Sequence, residues 1–175
     1  MPRTATTASA TGSPPSTRTR PLDDLDRRIL SQLQEDSSIT SAELARRVAL
    51  SSAGLQKRVR KLYDSGVILR QVALLNREAI DLDLLCFVHV TLAHHQPDAV
   101  RDFRTAIQGM PEVLECHHLT GEFDYLLKVV VGNHRELEHF LVDELTPAPG
   151  VDKILTSIVL NEIKASTALP LAGRG

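Results

Sequence analysis

The rhythm of apolar residues changes abruptly near Asn76, and that change restricts the chain to two kinds of structure in succession. Before it, Leu25, Ile29, Leu30 and Leu33 recur at helical spacing. They follow an acidic start of Asp23, Asp24 and Asp26, which suits the positive end of a helix. A second helix is predicted over Ser41–Val48, with Ser41 as N-cap and Leu44, Ala45 and Val48 on one face. The short link Ala49-Leu50-Ser51 leads to a third, Ser52–Asp64, capped by Ser51 or Ser52 and stopped at Ser65-Gly66. An extended stretch from Val67 to about Leu75 follows.

After Asn76 the apolar runs have strand character, at Leu84–Leu92, Val113–Leu119, Asp124–Val131 and Ile154–Leu160. An amphipathic helix carrying Val100, Phe103, Ile107 and Met110 separates the first two, and one carrying Leu137, Phe140, Leu141 and Leu145 separates the last two. The predicted class is α+β. A helix-turn-helix precedes a ferredoxin-like βαββαβ domain, an antiparallel sheet with both helices on one face. The run Leu126–Val131 is too continuous for a face left to water, so the open face is expected to be buried in a dimer. Residues 1–21, rich in Thr, Ser, Ala and Pro with three Arg and no acid, read as a disordered and dispensable tail, with added phosphate contacts as the alternative. The domains are then 22–75 and 76–171.

Charge follows the same division. Residues 1–75 hold 12 Lys/Arg against 7 Asp/Glu, and residues 76–175 hold 8 against 15, so a net of −2 hides +5 and −7. A basic N-terminal half suits a polyanion partner, double-stranded DNA, although solvated helix faces carry such runs too. No stretch approaches the roughly 20 apolar residues of a membrane span, and the N-terminus lacks an apolar export signal, so a cytoplasmic protein without membrane partners is expected. Cys86 and Cys116 read as buried free thiols.

Two short helices joined by about three residues, the second strongly basic, form a helix-turn-helix pattern. On the third helix Leu55, Val59 and Leu62 fall on one seam, leaving Ala53, Lys57 and Arg60 nearly opposite, flanked by Gln56 and Lys61. Ala53 is small enough for close approach to a groove. Gln56 and Arg60 are expected to contact bases, and Ser52, Lys57 and Lys61 the backbone. Arg58, at the seam's edge, is expected to make a structural or phosphate contact. The plain alternative is a solvated basic face.

These segments, taken in order, resemble the Lrp/AsnC (feast/famine) family of transcriptional regulators. The resemblance runs from LDDLDRRILSQLQEDSSIT and SAELARRVALSSAGLQKRVRKLYDSGVI through FVHVTL and PEVLECHHLTGEFDYLLKVVV to PGVDKILTSIVLNEIKASTALPL. Two departures fall in the turn: Ala49 where the family usually has Gly, and Ser52 where Pro is common. The resemblance implies a winged helix-turn-helix and a RAM-type effector domain. It implies homodimers, often gathered into octamers, and an amino acid or related metabolite as effector. It places the effector among His118, Thr120, Gly121 and Asp124, with Thr146, Ser157, Ile158 and Val159 from a neighbouring subunit. Gly121 permits a tight turn and Asp124 could accept bonds from an α-ammonium group, yet Gly121–Asp124 also fits a plain β-turn.

Seven histidines raise a metal reading, but neighbours such as His94-His95 and His117-His118 point apart in an extended chain, so no metal and no cofactor are expected. No phosphate loop or nucleophile motif is present, so a catalyst is not expected. The alternatives to a ligand-responsive regulator are a ligand-independent architectural DNA-binding protein and, further off, an amino-acid enzyme with a sensing domain.

Overall fold

In the computed structural model residues 21–171 are described, so the predicted N-terminal tail lies almost wholly outside them. The chain divides into two compact units. One contains the residues up to Ala73 and those from Ser166 onward; the other is Leu74–Ala165. The C-terminal boundary expected at 171 therefore falls near 165, because the last described residues pack with the helices rather than with the sheet.

The first unit holds α1 (Asp24–Glu35), α2 (Ser41–Arg47) and α3 (Ser52–Asp64). Asp23 caps α1 in a reciprocal box with Asp26, satisfying amides that the helix leaves open. Thr40, not Ser41, caps α2, its hydroxyl accepting from the Glu43 amide at 3.2 Å. Ser51 caps α3. Ile29, Leu30, Leu44, Ala45, Val48, Leu55 and Leu62 form the buried core. Ala49 turns the chain between α2 and α3 at φ 57, the left-handed region that favours Gly. Truncating a buried Leu such as Leu55 would cost about 2–5 kcal/mol, against about 1 kcal/mol of strain at Ala49, so the core outweighs the turn. Residues 69–76 have no strand pairing among the described residues.

The second unit holds β1 (Leu84–Leu92), α4 (Pro97–Gln108), β2 (Val113–His118), β3 (Tyr125–Val131), α5 (His134–His139) running into a π-helix (Phe140–Leu145), and β4 (Val151–Ile158). The sheet is antiparallel throughout, in the order β2-β3-β1-β4. Alternation assigns its faces. Cys86, Val88, Val90, Leu92, Tyr125, Leu127, Val129 and Val131 meet Phe103, Ile107, Leu137 and Phe140 of the helices. The opposite face carries Leu85, Phe87, His89, Leu126, Lys128 and Leu155, with Phe87 36% and Leu155 48% exposed. β4 starts three residues earlier than expected and ends two earlier. Gly150, at φ 78, turns the chain so that Val151 already pairs with Leu92, and a bulge at Thr91/Leu92 absorbs the shift. Cys86 is buried as expected, but Cys116 is exposed on the edge strand β2. Crowding beneath it still pushes its thiol up, against the pull of Arg104.

Candidate DNA-reading and effector-binding surfaces

The row of α3 expected to face DNA stands clear of the core. Ser52, Ala53, Gln56, Lys57, Arg60 and Lys61 are all exposed, while Leu55 and Leu62 point inward. Arg58 separates itself from this row. Its Nη1 donates to Asp23 Oδ2 and Asp26 Oδ1, each at 2.7 Å, so it bolts α3 to the capping box of α1. Those two hydrogen bonds, Asp23 first, hold the guanidinium in its charged form. Of the structural or phosphate contact expected of Arg58, the structure shows the structural one.

Two further exposed cations of this unit, on α2, are arranged differently. Arg46 and Arg47 both hold Glu43, whose carboxyl is drawn down to about 2 chiefly by the Arg46 hydrogen bonds and then by Arg47. They are thus partly neutralised on α2, leaving Lys57, Arg60 and Lys61 to present the charge of α3. A cleft of about 470 Å³ opens beside this helix, lined by Leu33, Ile39, Val59 and Tyr63 together with Gln56 and Arg60. It adjoins Gln56 and Arg60 and belongs to a different unit from the turn where the effector is expected.

That turn joins β2 to β3. Gly121 adopts φ 129, a conformation that L side chains rarely take, and a Cβ there would meet open space. The turn closes on itself through the Leu119 amide donating to Asp124 O at 2.8 Å. Asp124 is more committed than the sequence suggests. Its Oδ2 accepts from the Leu92 amide at 2.7 Å, and its Oδ1 lies 2.8 Å from His95 Nε2. The Leu92 bond, and after it His95, hold the carboxyl below the usual range. This is a carboxylate that ties the end of β1 to the turn. His95, which no local motif marks, is a further residue of this surface.

His118 lies on the helix-bearing face at the sheet edge, stacked on Tyr125 at 4.8 Å between ring centroids. Tyr125 also packs on Phe103 at 4.7 Å and accepts from Arg104 Nε at 3.2 Å. Thr120 and Gly121 are exposed. Thr146 ends the π-helix, its hydroxyl donating to Leu141 O at 2.6 Å.

Ser157, Ile158 and Val159 lie elsewhere in the unit. Ser157 pairs with Phe87, Ile158 with Cys86, and the Val159 amide donates to Leu85 O at 2.9 Å. His118 is level with Tyr125 and Val90 instead. Four residues along a strand is about 13 Å, and three strand spacings across the sheet add about 14 Å in the other direction. One chain therefore does not bring 157–159 to the turn at 120–124.

Comparison with known proteins decides what this pairing of surfaces is. Winged helix-turn-helix DNA-binding domains match residues 22–68, and the Lrp/AsnC ligand binding domain matches residues 85–169. The leucine-responsive regulatory protein of Escherichia coli K12 is 41% identical over 153 residues, covering 87% of this chain and 93% of that one. The chain belongs to the Lrp/AsnC family.

Solved members of this family agree with the fold. A transcriptional regulator of Neisseria meningitidis in complex with L-Met superposes with a TM-score of 0.84 at 40% identity, covering 87% of this chain and 98% of that one. An AsnC family regulator of Agrobacterium tumefaciens gives 0.82 at 34%, covering 86% and 97%. This Lrp/AsnC protein is a DNA-binding transcriptional regulator with a ligand-binding domain, and not an enzyme. Among its described residues no helix is long and apolar enough to cross a membrane.

Proposed function

We propose that this Lrp/AsnC regulator reads double-stranded DNA through α3 and adjusts that reading to a free amino acid. The carrying observation is the sorting of the basic residues. Arg58 is spent on Asp23 and Asp26, whereas Lys57, Arg60 and Lys61 stand exposed on the side opposite Leu55 and Leu62. A merely solvated basic helix has no reason to separate the two. Gln56 and Arg60 read base edges; Ser52, Lys57 and Lys61 hold phosphates, and Ala53 lets the helix approach.

The effector site is formed by His118, Thr120, Gly121 and Asp124 of one subunit with Thr146, Ser157, Ile158 and Val159 of another. The separation of Ser157–Val159 from the turn at 120–124 within one chain supports a site shared between copies. Homodimers form through the open sheet face with Phe87, Leu126 and Leu155, and dimers gather into octamers. An amino acid at such a junction favours one assembly by its differential affinity. The assembly then sets how many reading helices engage successive half-sites, and multivalency multiplies affinity without new contacts. The protein works in the cytoplasm.

The test is a thermal-shift screen of the amino acids, beginning with L-leucine and L-methionine because relatives are named for a leucine response or solved with L-Met. Any hit is then titrated against DNA affinity and assembly size. Stabilisation by one amino acid together with a change in both is expected. If no amino acid changes either, the protein is an architectural DNA-binding protein; if DNA affinity responds at constant assembly size, the geometric mechanism fails.

A further inference from the structure

The turn between β2 and β3 is held to the sheet at two successive residues. Asp124 binds the Leu92 amide and His95. Its neighbour Phe123 lays its ring on His89 of β1, with centroids 4.6 Å apart and ring planes inclined at 40°. A tilted pair at that separation is a favourable aromatic contact. Lys153 Nζ stands over the same Phe123 ring, 6.0 Å from its centre. His89 lies on the open sheet face, between Leu126 of β3 and Leu155 of β4. Its Nδ1 is sealed from solvent and has no hydrogen-bond partner among the described residues.

Such a nitrogen is tolerable only as a bare lone pair. A charged imidazolium would put an N–H where nothing accepts it, the costly way to bury a polar group. Attraction to the Phe123 ring offsets little of this, because the Lys153 ammonium already faces that ring and repels a second cation. The other titratable groups around the turn work in the opposite sense. His95 and His118 both act on Asp124, and His117 and Lys128 both hold Glu115, at 2.9 and 3.2 Å. Protonating those histidines tightens their carboxylate contacts. Glu122 is exposed. We propose that His89 and Phe123 are positioning residues for the turn at 120–124: the uncharged imidazole holds the turn on the sheet, and a proton on His89 releases it. That the turn belongs to the effector site rests on the reading above; the ring pair does not.

The experiment follows amide hydrogen exchange in the full-length, ligand-free protein at about pH 7.5 and about pH 5.5, the interval in which histidines take up protons. Each rate is divided by that of an unstructured peptide at the same pH. The Leu119 amide, which donates to Asp124 O, and the Asp124 amide, which donates to Val90 O, report closure of the turn. Asp124 stays ionised throughout, its carboxyl lying below the usual range. In the unsubstituted chain the protection of both amides falls at least about fivefold at the lower pH, the factor for one buried group without its hydrogen bond. In His89→Phe the aromatic pair persists with no site for the proton, and protection stays level. Phe123→Leu lowers protection equally at both pH values. Phe87→Glu, which disturbs the open face away from the turn, keeps the pH response. If His89→Phe does not fold, His89→Asn, which takes up no proton, must remove the pH response in its place.

Level protection in the unsubstituted chain, the same fall in His89→Phe, or loss of the response in Phe87→Glu would each overturn the proposal. The amino-acid reading is judged separately, in a second arm. Any amino acid that stabilises the protein should bind at least about fivefold more weakly at the lower pH, except in His89→Phe. If the turn opens but that affinity does not move, the turn is not the effector site, and the exchange result stands.

Discussion

At Asp124 one carboxylate does two structural jobs, and its ionisation carries a pH signature. The Leu92 amide and His95 favour the ionised form in the folded state, so the folded pKa lies below the unfolded value of about 3.9. Its contribution is present above that unfolded value and lost as pH falls through the lowered one. Asp124→Asn should therefore melt below the unsubstituted protein at pH 7, by about 1–2 kcal/mol, and the gap should close below about pH 4. A gap independent of pH in thermal melts would assign the loss to packing instead. Ala49 makes the opposite kind of prediction. It sits at φ 57 in the turn before α3, so Ala49→Gly should relieve about 1 kcal/mol and raise the melting temperature. The need for a left-handed residue there was legible from the family resemblance. The pairing of Asp124 with His95 was not, because 29 positions separate the partners and no local pattern joins them.

Elements repeat the lesson with different physics. On α3 the helical wheel alone separates the seam from the outward row, since 3.6 residues per turn fixes direction once Leu55 and Leu62 are inside. The variants should separate in the same way. Lys57→Ala should lower the slope of log affinity against log salt by about 0.9 per lost phosphate contact. Arg60→Ala should cost about 1–3 kcal/mol and relax preference at one base position. Arg58→Ala should leave that slope unchanged while lowering stability by about 1 kcal/mol. Duplex titrations at several salt concentrations, paired with melting curves, distinguish the three. The four strands and their order were legible because alternation and helical spacing differ in period. The start of β4 was not, since the bulge at Thr91/Leu92 leaves no mark in residue type. Nor was the exposure of Cys116, which depends on β2 lying at the edge of the sheet.

For the whole molecule, the open sheet face is the deciding surface. Phe87 and Leu155 project from it, and Leu126 lies beside them on β3. Phe87→Glu should shift the protein toward monomers in sedimentation velocity, with a loss of about 2 kcal/mol or more per dimer contact, while the circular dichroism of each unit persists. An unchanged assembly would move the interface elsewhere. Gln34 and Arg27 of α1 donate to the backbone carbonyls of Leu169 and Leu171, and nothing in a Gln or an Arg on a helix surface announces so distant a partner. The placement of the two tyrosines has a practical consequence. With no tryptophan in the chain, Tyr63 at the cleft beside α3 and Tyr125 beneath His118 give each unit its own ultraviolet chromophore. Replacing either ring with phenylalanine leaves a single emitter, so each unit can be watched by itself without attaching a dye.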